Sequence, residues 1–298
     1  MKCSAYDCFF GTNHEKKVVW ELTEQCQQNC NNCCNTHRRG GPEFSIEQAQ
    51  FVVDELLQLG IKHVVLTGGE PLLCKELFGI IELIRSVNIS VSICTNGMLL
   101  GKFAKKIKAC GVSKVIVSLD TLVPDLYDYL RGTHNALSVV LKSIDTAISD
   151  KIRISIHTVV SESNIFEIPC LLKYAQAKSL NISMSSLVVP NGNHNIRVLK
   201  SILFNSIFDF FENDAEKDEM LLSIFTGCRA GIDIFGVKSN CTFTPCLWIS
   251  NFSNRYDSFS IKENMDFDRK TCYAMSLCNQ HSKTIQECWT IEFNFSCD

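Results

Sequence analysis

The chain has 298 residues, 46% hydrophobic and 20% charged, which supports one large domain with a buried core plus a smaller appendage. A formal net charge of −3 excludes the basic surface that nucleic acid or anionic lipid would demand, and no uncharged run approaches the ~20 residues of a membrane span. The opening MKCSAYDCFFGTNHEKK lacks the apolar stretch of a signal peptide, so a cytoplasmic, reducing compartment is expected, where seventeen cysteines point to metal or catalysis rather than to disulfides.

Taken in chain order, residues 17 to about 190 alternate β-branched runs with amphipathic helices. KVVWELT (17–23) predicts a strand. Ser45 with Gln48 three residues on reads as a capping box, and Ile46, Ala49, Val52, Val53, Leu56 and Leu57 follow at helical spacing until Gly60 supplies the stop. HVVLT (63–67) is the second strand and ELFGIIELIRS (76–86) the next helix. SVSIC (90–94) precedes a helix ending at Gly111, and KVIVSLD (114–120) precedes helices through about 149. The alternation of Ile152, Ile154 and Ile156 marks a fifth strand, followed by a helix near 164–178 and a sixth strand, NISMSSLVV (181–189). Six βα units imply a parallel sheet with crossover helices, too few for a closed eightfold barrel but suited to an open one. After Pro190 a helical stretch spans about 196–225, strand candidates occupy 232–238 and 241–245, and an irregular tail carries Cys228, Cys241, Cys246, Cys272, Cys278, Cys288 and Cys297. Cys74, Cys94, Cys110 and Cys170, scattered in apolar patterns, read as buried small hydrophobes.

In α/β sheets of this kind chemistry collects beyond the strands' C-terminal ends, and the polar motifs fall there. Cys26, Cys30 and Cys33 occupy the loop after the first strand. Structural zinc takes four ligands, whereas three thiolates on a four-iron cluster leave one iron open for a substrate or cofactor. On spacing alone zinc stays open, and Cys34 reads as a spare thiol. HVVLTGGEPLL then sets Gly68, Gly69 and Glu70 after the second strand, where glycines admit close backbone approach and a carboxylate can hold an ammonium group.

Together these residues resemble the radical S-adenosylmethionine (SAM) superfamily, marked by CxxxCxxC after the first strand and GGE after the second. The resemblance spans roughly residues 17–190 and implies an α/β fold, a partial (β/α)6 TIM-like barrel over 15–210. It implies a [4Fe–4S] cluster on Cys26, Cys30 and Cys33, whose open iron chelates SAM. A one-electron reductant then drives cleavage of SAM to methionine and a 5′-deoxyadenosyl radical, which abstracts a substrate hydrogen. By the same likeness Gly68, Gly69 and Glu70 face the methionine amino group. Thr95 and Asn96 after the third strand, and Ser118 and Asp120 after the fourth, look like further cofactor contacts, with Arg131 of Arg131-Gly132 on the SAM carboxylate. The chain departs from the family at Asn32, where an aromatic residue usually precedes the third cysteine. His37, Arg38 and Arg39 read as a solvated basic loop, and Cys3 and Cys8 suggest no partner.

Residues 211–298 resemble a small SPASM/twitch extension: Cys228-Arg-Ala-Gly231, then a hairpin closing in Pro245-Cys246, with Cys272 and Cys278 completing the ligands of a second, auxiliary [4Fe–4S] cluster that the resemblance implies. Cys288 is an alternative ligand. Cys241, where related hairpins place a turn glycine, is a candidate hydrogen-atom donor to a substrate radical. The expected function is modification of a ribosomally made precursor peptide by epimerisation, thioether formation or C–C crosslinking. No winged leader-binding domain, common in such maturases, is evident. The alternative is a small-molecule epimerase or dehydrogenase acting on a sugar or aminocyclitol, with Cys241 as donor. A non-enzymatic zinc protein is the reading that the GGE loop argues against.

Overall fold

A computed structural model describes residues 16–31, 33, 44–186, 203, 234–239, 241, 243–244 and 290–293. Strands β1 (Lys17–Glu21), β2 (His63–Thr67), β3 (Ser90–Thr95), β4 (Lys114–Ser118), β5 (Ile154–Val160), β6 (Asn181–Ser186), β7 (Ile234–Val237), β8 (Phe243–Thr244) and β9 (Thr290–Phe293) form one sheet ordered β8-β7-β1-β2-β3-β4-β5-β6-β9. Strands β1 to β6 run parallel to one another, joined by helices α1 (Ile46–Gln58), α2 (Leu77–Ser86), α3 (Leu100–Ala109), α4 (Pro124–Arg131), α5 (Ala136–Ser149) and α6 (Ile168–Ala177). This is the open, partial (β/α) barrel that the repeating pattern predicts. Among the described residues no helix is long and apolar enough to cross a membrane.

The strands' two faces differ. Val18, Trp20, Val64, Leu66, Val91, Ile93, Val115, Val117, Ile154, Ile156, Ile182 and Met184 join the buried core beneath the helices. The alternate positions include Ser92, Cys94, Ser118, Ser155, His157, Ser183 and Ser185. A parallel sheet covered on both faces by apolar layers reads as unbroken hydrophobic runs; here β3, β5 and β6 keep a period-two alternation because their inner face is polar, while Val19, Val65 and Ile116 make β1, β2 and β4 unbroken runs. Burial of the outer face supplies the driving force at about 25 cal/mol per Å². The inner face is thereby left available for chemistry.

Local signals set the helix ends. Ser45 Oγ accepts from Gln48 N at 3.3 Å while Gln48 Oε1 accepts from Ser45 N at 2.9 Å, the reciprocal capping box. Gly60 and Gly111 take positive φ after α1 and α3. The fifth strand begins at Ile154 rather than Ile152, because Lys151 turns through φ 57 and Ile152 N still bonds Ala147 O at 3.0 Å. The fourth ends at Ser118, and Asp120 lies in the loop beyond it.

The strand candidates at 232–238 and 241–245 do pair antiparallel, as β7 and β8, through Gly236↔Thr244 and Val237↔Phe243. β7 also lies parallel to β1, Lys17↔Ile234 to Trp20↔Val237, and so extends the main sheet. β9 runs antiparallel to β6 on the other side. Two cysteine readings need correction. Cys170 is exposed on α6, and Cys94 faces the polar side of β3 beside Ser118 and Thr67 instead of the helix-covered core. Cys74 is buried, as expected, whereas Cys110 is only half-buried against the core.

Candidate active site

The loop after β1 starts bound to its neighbour. Leu22 N donates to Thr67 O at 2.9 Å, Gly69 N to Thr23 O at 2.7 Å, and Glu70 N to Gln25 O at 2.7 Å. The two glycines permit this contact: a Cβ on Gly68 would stand 2.4 Å from Thr23 O, and one on Gly69 2.3 Å from Gln25 O. The close approach expected of these glycines is therefore made, in the described structure, by the chain's own backbone. The cysteine loop and the Gly-Gly-Glu loop form one double-stranded ledge at the C-terminal end of the sheet.

The far half of the cysteine loop rests on the end of α4. Asn29 N donates to Arg131 O at 3.1 Å, Asn31 N to Leu130 O at 3.0 Å, and Asn31 Nδ2 to Tyr129 O at 2.7 Å. Gly132 lies so close, at φ 56, that a Cβ there would meet Asn29 O at 2.1 Å. Cys26 is exposed, and Cys30 and Cys33 are half-buried. Burial pushes the Cys26 and Cys30 thiols up, and each is pushed further by its neighbour's charge, Cys30 on Cys26 and Cys33 on Cys30; the Arg131 guanidinium beside Cys30 acts in the opposite sense. Among the described residues no three His, Cys, Asp or Glu side chains converge on a point where one ion would take them all. A four-iron cluster takes each thiolate on a different iron, and three neighbouring, partly accessible thiols suit that donor set.

Glu70 is wholly buried. Its Oε1 accepts from Leu72 N at 3.0 Å and Thr95 Oγ1 at 2.7 Å, and its Oε2 from Asn96 N at 2.8 Å. Burial raises its pKa to about 7, against the lowering effect of these three donors. The carboxylate is thus turned inward, where it ties the β2 loop to the β3 loop. Asn96 Oδ1 accepts from Met98 N at 3.0 Å and Gln27 Nε2 at 3.2 Å, and its Nδ2 stands 3.8 Å from Cys26 Sγ. Gln28 N also approaches Cys26 Sγ, at 3.4 Å.

Across the mouth, Arg131 Nη2 pairs with Asp120 Oδ2 at 2.6 Å, both side chains nearly buried. Asp120 Oδ1 accepts from Val159 N at 2.9 Å, and Arg131 Nε is buried without a partner. Ser118 ends β4 half-buried near Cys94, whose thiol burial lifts to about 11.

Sequence reasoning missed the polar row on β5 and β6. His157 Nδ1 lies 2.9 Å from Ser183 Oγ, and its Nε2 lies 3.1 Å from Ser185 Oγ. Ser183 Oγ also donates to Ile156 O at 3.3 Å, so it accepts from Nδ1–H, and Nε2 takes the Ser185 hydroxyl proton. Burial and then the Arg131 charge hold His157 down to about 4, keeping it neutral. The period-two recurrence of Ser183 and Ser185 was the available signal.

Cys241 closes the β7–β8 turn at φ 63, half-buried, its N donating to Lys238 O at 2.9 Å. Ser239 Oγ donates to Glu24 Oε1 at 3.0 Å, so this turn sits at the cysteine-loop end of the sheet. Cys228, Cys246, Cys272, Cys278 and Cys288 lie outside the described residues, as do Asn32, Cys34, His37, Arg38 and Arg39.

Comparisons with known proteins bear on the family and the fold. Residues 20–174 match the profile of the Radical SAM superfamily. An AdoMet-dependent heme synthase of Methanosarcina barkeri (strain Fusaro / DSM 804) is 29% identical over 184 residues, 61% of this chain and 53% of that protein. A probable GTP 3',8-cyclase of Pyrococcus abyssi (strain GE5 / Orsay) is 31% identical over 188 residues, 61% of this chain and 60% of that one. The chain thus spans little more than half the length of these relatives. Among solved structures, anSMEcpe with bound AdoMet superposes with a TM-score of 0.68 at 18% identity, covering 91% of this chain and 88% of that one. Streptococcus suis SuiB bound to its precursor peptide SuiA gives 0.66 at 17%, covering 87% and 66%. At these identities the structures share the fold.

Proposed function

We propose, from the premise that the chain belongs to the radical SAM superfamily, that it is an enzyme holding a [4Fe–4S] cluster on Cys26, Cys30 and Cys33 and abstracting hydrogen from a ribosomally made peptide. The observation that carries this reading is the ledge itself: three partly accessible thiols and the Gly-Gly-Glu loop, bonded together at the C-terminal end of a parallel sheet. When bound, the cluster supplies one electron to SAM, releasing methionine and a 5′-deoxyadenosyl radical. The chain's own residues would do the rest. The guanidinium of Arg131, with a buried Nε awaiting an acceptor, suits a carboxylate. Carbonyls of the ledge, whose N–H groups are already taken, suit an ammonium group.

A peptide substrate is supported by the fold shared with SuiB, solved with its precursor peptide, and with anSMEcpe, solved with a Kp18Cys peptide. The products envisaged are an epimer, a thioether or a C–C crosslink. The second reading, a small-molecule epimerase or dehydrogenase, draws on Cys241 in the β7–β8 turn at the cysteine-loop end of the sheet, as a thiol whose hydrogen would quench a substrate radical. A Cys241→Ala variant that cleaves SAM but does not complete turnover would support it; unchanged turnover would sink it. An auxiliary cluster on Cys228, Cys246, Cys272 and Cys278 belongs to the same proposal, as does a twitch-like subdomain over 211–298 and a reducing, cytoplasmic setting.

Iron and sulfide content after anaerobic reconstitution tests the whole assignment, for wild type and a Cys26/Cys30/Cys33→Ala variant. About eight irons falling to about four supports two clusters, and about four falling to none supports the first cluster alone. Equal iron in both proteins would overturn the assignment.

A further inference from the structure

We propose that Asn96 is a positioning residue for the cluster's electronics, its side-chain amide donating an N–H···S hydrogen bond to the Cys26 sulfur and so raising the reduction potential of the cluster. This rests on the ligand assignment above and adds a role for a side chain outside the cysteine loop.

The direction of the Asn96 amide follows from its partners. The oxygen and nitrogen of an amide are told apart by what surrounds them. Here one end meets two donors, Met98 N at 3.0 Å and Gln27 Nε2 at 3.2 Å, which only an oxygen can accept. The other end must then be the NH₂ group, and it stands 3.8 Å from Cys26 Sγ. Asn96 is buried, and its backbone N–H is fixed on the wholly buried Glu70 carboxylate at 2.8 Å. Glu70 is itself locked by Thr95 and Leu72. A chain of fixed contacts thus runs from the Gly-Gly-Glu loop through Asn96 to a sulfur on the neighbouring loop. Gln28 supplies a parallel case on a second sulfur. Its side-chain oxygen lies 3.7 Å from Cys30 Sγ, an arrangement that suits a thiol donor, while its Nε2 is buried without a partner. A cluster thiolate has no proton to give, so the Gln28 amide turns over and offers Nε2–H to the sulfur.

A donor on a ligand sulfur withdraws electron density and favours the more negative, reduced cluster, which is how hydrogen bonds to sulfur set the potentials of such centres. Removing the donor should shift the potential down. The protein, anaerobically reconstituted and without SAM, is titrated by EPR as wild type, Asn96→Leu and Gln28→Met. The signal followed is the one lost in the Cys26/Cys30/Cys33→Ala variant. Each substitution should leave iron content intact and lower the reduced-to-oxidised ratio at the wild-type midpoint roughly threefold to tenfold, tenfold being about 59 mV for one electron. Unchanged midpoints at full iron content overturn the proposal while leaving the cluster assignment standing. Absence of any such signal in wild type overturns the assignment itself. Wild type also carries a test independent of folding in the variants: ¹⁵N introduced selectively into asparagine side chains should couple to the reduced cluster. A spectrum without that coupling overturns the Asn96 contact.

Discussion

Replacing Gly132 with alanine asks whether the cysteine loop is seated on the end of α4. Gly132 sits at φ 56, and alanine held in that left-handed region costs about 1–2 kcal/mol. The added Cβ would stand 2.1 Å from Asn29 O, a backbone atom that must retreat by about 1 Å or more to reach contact distance. That retreat breaks the bonds from Asn29 N to Arg131 O and from Asn31 N to Leu130 O, each worth a net ~1 kcal/mol. The total, about 3–4 kcal/mol, falls almost wholly on the loop. Gly60→Ala is the control: its φ is 69, and a Cβ there meets nothing within 4 Å, so it carries the conformational cost alone. The assay is iron and sulfide per chain after anaerobic reconstitution, beside the urea midpoint of each metal-free protein. Gly132→Ala should lose most of its iron, and Gly60→Ala should keep it. Iron in Gly132→Ala equal to wild type, with stability equal to that of Gly60→Ala, would refute the seating argument.

Glu70→Gln places an NH₂ group against donors that now meet carboxylate oxygens, and should cost about 1–3 kcal/mol, read as a lower thermal midpoint in the metal-free protein. A midpoint matching wild type would mean the three bonds are not needed. His63 is held down to about 4 by burial and by the charges of Lys114 and Lys17, below its ordinary 6.5. The unfolded chain therefore binds more protons between those values, so the His63 contribution is complete above pH 6.5 and is lost as pH falls towards 4. The metal-free wild type should lose about 1–3 kcal/mol more than His63→Gln across that window, and parallel urea-midpoint curves would exclude the effect. Asp120→Asn removes the partner of a nearly buried guanidinium and should destabilise the metal-free protein by about 3 kcal/mol; a loss within error of zero would show Arg131 to be solvated.

The parts of this fold legible in the sequence are those encoded locally. β-branched runs marked the first six strands, Ser45 and Gln48 marked the start of α1, and the cysteine spacing marked the loop after β1. What local pattern does not carry is partnership. Nothing near Ile234 announces Lys17 as its neighbour, so β7 read as part of a separate hairpin when it also extends the main sheet. The Gly-Gly-Glu loop was legible as a close-approach device, but its neighbour in the described structure is backbone from the cysteine loop. The inward turn of Glu70 depends on Thr95 and Asn96, donors from another loop, and Cys94 was misread because a small apolar side chain suits either face of a strand. His157 escaped because a single histidine in a strand carries no signal until Ser183 and Ser185 arrive beside it.

The two flanks of the sheet carry a consequence for how the protein is made. β1 is synthesised well before β7, so its outer hydrogen-bonding edge waits for that strand, and β6 waits for β9. The segment matched to the family profile, residues 20–174, supplies neither cover. A barrel core emerging from the ribosome therefore exposes unpaired strand edges until the C-terminal quarter arrives, and such edges are templates for intermolecular pairing. Shortened versions designed around the matched segment should aggregate for this reason, whatever the integrity of the cysteine loop, and co-expression of the missing tail is the remedy the topology recommends.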